Sequence, residues 1–167
     1  MTMSPQTTQT HFDGVLITIR SDKSYFEVTE AIESKLQRFS ITRQMEYMAH
    51  KNREGFEAYV TRITAPSNYT IFFDFEQGTA MRLAGIPIES KFYLVGNPVI
   101  ARGLFQYTGA AGLGAPVRVS VSQHDGEQTR IDVDQPSSFF SQFPEMQGSD
   151  VPGRLDHELV GVFEAVA

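Results

Sequence analysis

Asp74 and Glu76 end the run "YTIFFDFE", residues 69 to 76, and are the first groups in the chain whose setting suggests chemistry. A carboxyl buried among phenylalanines has its charged form disfavoured and its pKa raised, which is how a general acid or base is tuned. The commoner role for such an aspartate is to cap the following helix or to pair with an arginine. A second group is Gly96-Asn97-Pro98, with Arg102 and Tyr107 downstream. Asn97 suits a helix N-cap and Pro98 the first helical position, where its missing N–H costs nothing. Helix N-termini also attract anions. A phosphate or carboxylate held near Val99 and Ile100 by Arg102 or Tyr107 is the binding chemistry this pattern offers, and a capped helix that binds nothing is the alternative.

Other chemistries are poorly represented. Gly109, Gly112 and Gly114 spell G-x-x-G-x-G, the reverse of the dinucleotide fingerprint, and they follow a helical segment where that fingerprint follows a strand. No Walker lysine accompanies them, so they read as a helical turn leading into a strand at Pro116. His11, His50, His124 and His157 have no i, i+4 partner, and cysteine is absent. Neither a metal site nor a cofactor is therefore expected.

The elements that must position these groups follow from periodicity. "GVLITIR" alternates, with Val15, Ile17 and Ile19 on one face, as a strand does. "SYFE" is a capping box, and it opens a helix whose stripe is Val28, Ile32, Leu36 and Phe39. From 41 to 66, Met45, Met48, Phe56, Tyr59 and Ile63 keep helical spacing, interrupted at Gly55 and closed at Ala65-Pro66. This stripe suits core packing, or less commonly the lining of a ligand site. Strands are expected near 14–20, 69–75, 91–96, 116–123 and 127–134, with Ile71, Phe73 and Phe75 inward. "TAMRLAG" reads as a short helix capped at Gly85, residues 136–153 as a loop, and "RLDHELVGVFEAVA" as the closing helix. In the hairpin, a loop from His124 to Gly126 pairs Val119 with Ile131 and Arg118 with Asp132.

Composition narrows the class. The chain has 167 residues, 41% hydrophobic and 20% charged, which is ordinary for one globular domain. Residues 1–12 read as a polar tail and 13–167 as a single α+β domain. Net charge is −6, and residues 63–167 hold six Lys/Arg against twelve Asp/Glu. No basic stripe is present for nucleic acid or for an anionic membrane. No apolar run approaches the ~18 residues of a bilayer span, and the start lacks the parts of a signal peptide, so a cytoplasmic location is expected.

The run "GNPVIARGLFQYTGAAGLGAPVRVSV", with a hairpin ending in "VDQP", resembles the bacterial domain of unknown function 302 family. "GVLITIRSDKSYFEVTEAIESKL" is similar to that family's opening strand and helix, and "FEQGTAMRLAGIPI" to its Asp-His segment. The likeness covers about 13–136 plus the terminal helix. Here Glu76-Gln77 stands where the family shows Asp-His, leaving no histidine there for proton transfer or metal binding. Residues 41–68 read as a helical insertion. The resemblance implies an antiparallel sheet of about five strands with helices packed on it, in a TATA-binding-protein-like or helix-grip arrangement, as a homodimer. It implies no settled activity.

Two functions remain. One is a small-ligand-binding or regulatory module with an apolar, aromatic-lined pocket. The other is a cofactor-independent lyase or isomerase, with Asp74 or Glu76 as acid/base and Arg102 or Tyr107 holding a substrate anion. Convergence of those four side chains in one cavity would separate the two. A homodimer is expected on the further ground that an open sheet leaves an edge needing cover.

Overall fold

The computed structural model describes residues 6–167; the first five residues of the expected tail lie outside that range. Five strands form one antiparallel sheet: β1 (Leu16–Ser21), β2 (Thr70–Glu76), β3 (Ile88–Gly96), β4 (Val117–His124) and β5 (Thr129–Asp134), in the spatial order β1-β5-β4-β3-β2. Seven helices accompany it: α1 (Tyr25–Lys35), α2 (Ile41–Ala49), α3 (Arg53–Thr64), α4 (Gly78–Leu83), α5 (Pro98–Phe105), α6 (Pro136–Phe140) and α7 (Val151–Glu164). The architecture is α+β, with helices packed on an antiparallel sheet.

Local signals explain most boundaries. The Ser24 hydroxyl accepts from the Glu27 N–H while the Glu27 carboxylate accepts from the Ser24 N–H, so both halves of the capping box form. Asn97 caps α5 through the Val99 and Ile100 N–H groups, with Pro98 at the first turn. Residues 109–113 form a 3-10 turn capped by Thr108, and the chain then enters β4. The glycines of that stretch thus turn the chain.

The core lies between one sheet face and the helices. Tyr93, Val95, Val119, Val121, Ile131 and Val133 from the sheet meet Val28 and Ile32 of α1, Leu104 of α5 and Leu155, Leu159 and Phe163 of α7, all buried. Each such side chain contributes about 1.5–3 kcal/mol relative to leaving it in water. Where α5 meets α7, a side chain at Gly103 would bring a Cβ to 2.9 Å from Val151 Cγ2, so glycine permits the close approach. A second apolar cluster joins Phe39 to Tyr59, Val60 and Ile63 of α3, with Phe72 stacked on Phe39 at 4.5 Å.

Several expectations are corrected. In β2 the ladder shifts between Ile71 and Phe73, making Phe72 an extra, bulged residue. Beyond it the faces are the reverse of simple alternation: Phe73 and Phe75 are 51% and 54% exposed, while Asp74 lies opposite Tyr93 on the helix-covered face. The hairpin keeps the expected faces but shifts register by two residues. Val119 pairs with Val133 and Val121 with Ile131, Asp132 lies opposite Ser120, and Arg118 bonds Asp134. Because a two-residue shift preserves every face, alternation could not distinguish these registers. The turn decides between them, with Gly126 at φ 77° and the Glu127 N–H on the His124 carbonyl.

The segment 41–66 is two helices, broken at Lys51-Asn52 where Lys51 has φ 50°; Gly55 lies inside α3, bonded to the Asn52 cap. Of its stripe, Phe56, Tyr59 and Ile63 pack, whereas Met45 and Met48 face solvent. The stretch expected to be loop contains α6 and a 3-10 turn, and α7 starts three residues earlier than expected, with Pro152 in its first turn.

Candidate functional site

The helix-covered face of the sheet is polar at one end and hollow at the other. The polar end is built on β2 and β3, whose residues Asp74, Glu76, Lys91 and Tyr93 project towards α1. The Lys91 ammonium bridges Glu33 of α1 and Asp74, the latter at 3.1 Å. Arg38 bonds both Asp74 and Glu33, and the Tyr93 hydroxyl donates to Glu33 at 3.0 Å. The Tyr25 hydroxyl donates to Glu76 at 2.6 Å, while the other Glu76 oxygen accepts from the Gly78 N–H at the start of α4.

These contacts fix the charge states. Burial pushes the Asp74 carboxyl up, but the hydrogen bonds and charges of Arg38 and Lys91 outweigh it and hold the group below the usual aspartate value. Glu33 is likewise raised by burial and lowered further by Lys91, Tyr93 and Arg38. Burial lowers Lys91, yet its two carboxylate partners leave it raised. Burial and the neighbouring carboxylates push the hydroxyls of Tyr25 and Tyr93 far up. Asp74 is therefore paired with an arginine, the commoner of its two expected roles, and its carboxyl is held low where a tuned base would be raised.

At the other end lies a cavity of about 510 Å3. Its floor and walls are Phe72 at the bulge, Ile100, Leu104 and Phe105 of α5, Pro116 before β4 and Leu155 of α7. Gly96-Asn97-Pro98 forms one rim, with Gln44 and Arg102 also on the boundary. Helical spacing explains the wall, since Ala101, Leu104 and Phe105 share one flank of α5. Among the described residues no group of three or more His, Asp or Glu is arranged to hold a metal ion.

Asn97 and Arg102 thus border the cavity, whereas Asp74, Glu76 and Tyr107 do not line it. The helix terminus offers no free donor there, because the Val99 and Ile100 N–H groups already bond Asn97 Oδ1 at 2.8 and 3.3 Å. Arg102 is 62% exposed and bonds Glu57 at 3.1 Å. Phe72, Phe105, Pro116, Leu155 and Gln44 were missed as lining residues. Leu155 belongs to the closing segment that reads as a helix, and no local signal marks Phe72, whose direction depends on the bulge.

A five-stranded antiparallel sheet with helices packed against it, hollowed at a Gly-Asn-Pro turn, is the class these observations define. The chain belongs to the DUF302 family, a domain of unknown function whose model matches residues 47–166. That match begins inside α2 and takes in α3. Among solved structures, the chain is similar to an uncharacterized conserved protein DUF302 from Bacillus stearothermophilus, with a TM-score of 0.64 at 14% identity, covering 91% of this chain and 98% of that one. At that identity the likeness is one of fold. Comparison with curated proteins yields no match. No helix among the described residues is long and apolar enough to cross a membrane.

Proposed function

We propose that the protein is a small-ligand-binding module whose site is the cavity beside Gly96-Asn97-Pro98. The observation that carries this is about 510 Å3 of unfilled space lined by apolar and aromatic side chains, within the 300–1,000 Å3 range of ligand pockets. The space opens to solvent on one side and is apolar within, so an apolar body can enter it and be shielded from water. The carboxylates that a cofactor-independent lyase or isomerase would use are held in ion pairs or accept from Tyr25, outside this cavity. Mass spectrometry of small molecules released from the purified protein tests the reading. An apolar compound in stoichiometric amount supports it, and retention of that compound by an Ala101→Phe variant would count against the cavity as its seat.

The module acts, in this proposal, as a homodimer joined through the uncovered sheet face. On that face the β1, β5 and β4 half pairs its charges internally, through Arg118–Asp134 and Arg130–Asp132. The β2 and β3 half sets the exposed Phe73 beside the half-buried Leu94 and the exposed Phe75 beside the half-buried Phe92. A two-fold contact places the same patch on both subunits, and an apolar patch is complementary to itself as a singly charged one is not. Light scattering over a dilution series is expected to show a dimer that Phe75→Glu converts to monomer. A wild-type monomer at micromolar concentration would remove the proposal.

A further inference from the structure

The cavity has a neighbour that bears on what it would hold. Across α5 lies a second hollow of about 450 Å3, lined by Val99, Ile100, Gly103, Gln106, Val151, Arg102 and Arg154. Ile100 and Arg102 border both spaces, so α5 separates an apolar hollow from one flanked by two guanidinium groups. Each arginine makes one protein hydrogen bond among the described residues: Arg102 Nη1 to Glu57 at 3.1 Å, and Arg154 Nε to Glu158 at 3.2 Å. Their remaining N–H donors form no protein hydrogen bond among the described residues. A guanidinium presents five donors, so either can take a further oxyanion or exchange its present carboxylate for another without losing hydrogen bonds. The placement is notable in a region where Asp and Glu outnumber Lys and Arg twelve to six.

Taking the cavity as the binding site, we propose that its ligand is an amphipathic monocarboxylate: an acyl chain or aryl body lodged in the apolar hollow, its carboxylate drawn to Arg102, which borders both spaces. The apolar hollow has room for on the order of fifteen non-hydrogen atoms, at about 30 Å3 for each water-sized group. Burial of the body supplies the affinity, and Arg102 selects the acid over the corresponding neutral molecule. The helix N-terminus contributes no donor, because Asn97 already occupies it.

The test is direct titration calorimetry of the full chain with straight-chain carboxylates of six to sixteen carbons and with 2-naphthoate, each beside its matching alcohol, with acetate as the bodiless control. The best-fitting acid is expected to bind at least tenfold more tightly than its alcohol. Arg102→Gln should erase that preference, Arg154→Gln, on the far side of α5, should leave it in place, and Ala101→Phe should abolish binding of acid and alcohol alike. Circular dichroism of each variant checks the fold. Equal affinity for acid and alcohol in the wild-type chain overturns the carboxylate inference while the cavity remains a binding site. Failure of every acid and alcohol to bind overturns the inference and the site together. Acetate binding as tightly as the longer acids overturns the need for an apolar body.

Discussion

The two ends of the helix-covered face carry opposite kinds of residue and have been resolved in opposite ways. At the β2/β3 end, five ionisable side chains from α1, the segment after it and the sheet close on one another, and Lys91 is left with 17% of its side chain exposed between two carboxylates. At the α5 end, side chains that are uncharged apart from Arg102 stop short of one another and leave a hollow. The catalytic-looking residues are thus in the place the protein has filled for itself, and the vacant space lies among residues with little reactivity. Density of titratable groups and availability for a ligand are separate properties, and in this molecule they point to different ends of the sheet.

The sharpest way to break the comparison is Lys91→Ala. Removing the shared cation leaves Glu33 and Asp74 facing each other, half-buried, with Arg38 alone between them. Breaking a fully buried ion pair costs 3–5 kcal/mol; here partial exposure brings the expected loss down to about 2 kcal/mol in urea unfolding. A loss too small to measure would mean that the network is a surface ornament and the two ends differ less than their contacts suggest.

Next in size is the acid limb of stability. Asp74 and Glu33 titrate lower folded than unfolded. Their contribution is therefore complete above the ordinary carboxylate pKa near 4 and is lost as pH falls through the lowered folded values. Lys91 and Arg38 are raised, so their contribution is complete below the ordinary lysine value and declines only in strong alkali. Unfolding free energy measured from pH 7 to 2 should fall below about pH 4, and less steeply in Lys91→Ala. Equal slopes in the two proteins would place the acid sensitivity elsewhere.

The smallest expected effect belongs to the hollow end. A ring added to a packed interior costs about 1–3 kcal/mol, so Ala101→Phe should cost under about 1 kcal/mol if the space is as empty as its volume indicates. Denaturant unfolding of the ligand-free variant measures this, and a loss beyond 2 kcal/mol would show that the wall has no room to spare.

What the sequence made legible divides along the same line. The strands β1, β4 and β5, the Ser24–Glu27 box and the Asn97-Pro98 cap depend on residues within a few positions of one another, so periodicity and spacing sufficed. The ion network depends on Arg38 meeting Asp74 across 36 positions, and the bulge at Phe72 is a property of how two strands pair. The cavity is further removed still. It is the space that α5, α7 and the ends of β2, β3 and β4 fail to fill, and no single stretch of chain encodes it. Asn97 and Arg102 were found at its rim because a helix begins there, and Phe72 and Leu155 were not, because nothing local marks a wall.

Strand β2 can be seen as holding two reading frames one residue apart. In the unbulged frame Phe73 and Phe75 would turn under the helices and Asp74 would leave Lys91 for solvent; in the observed frame Phe72 is the surplus residue and the ion network is intact. A chain with Phe72 deleted could run from Ile71 to Phe73 as a regular ladder and would arrive, without any bulge, at the faces the protein already shows. Such a deletion would lock the frame, and it would do so by taking away the ring that stacks on Phe39 and closes one side of the cavity.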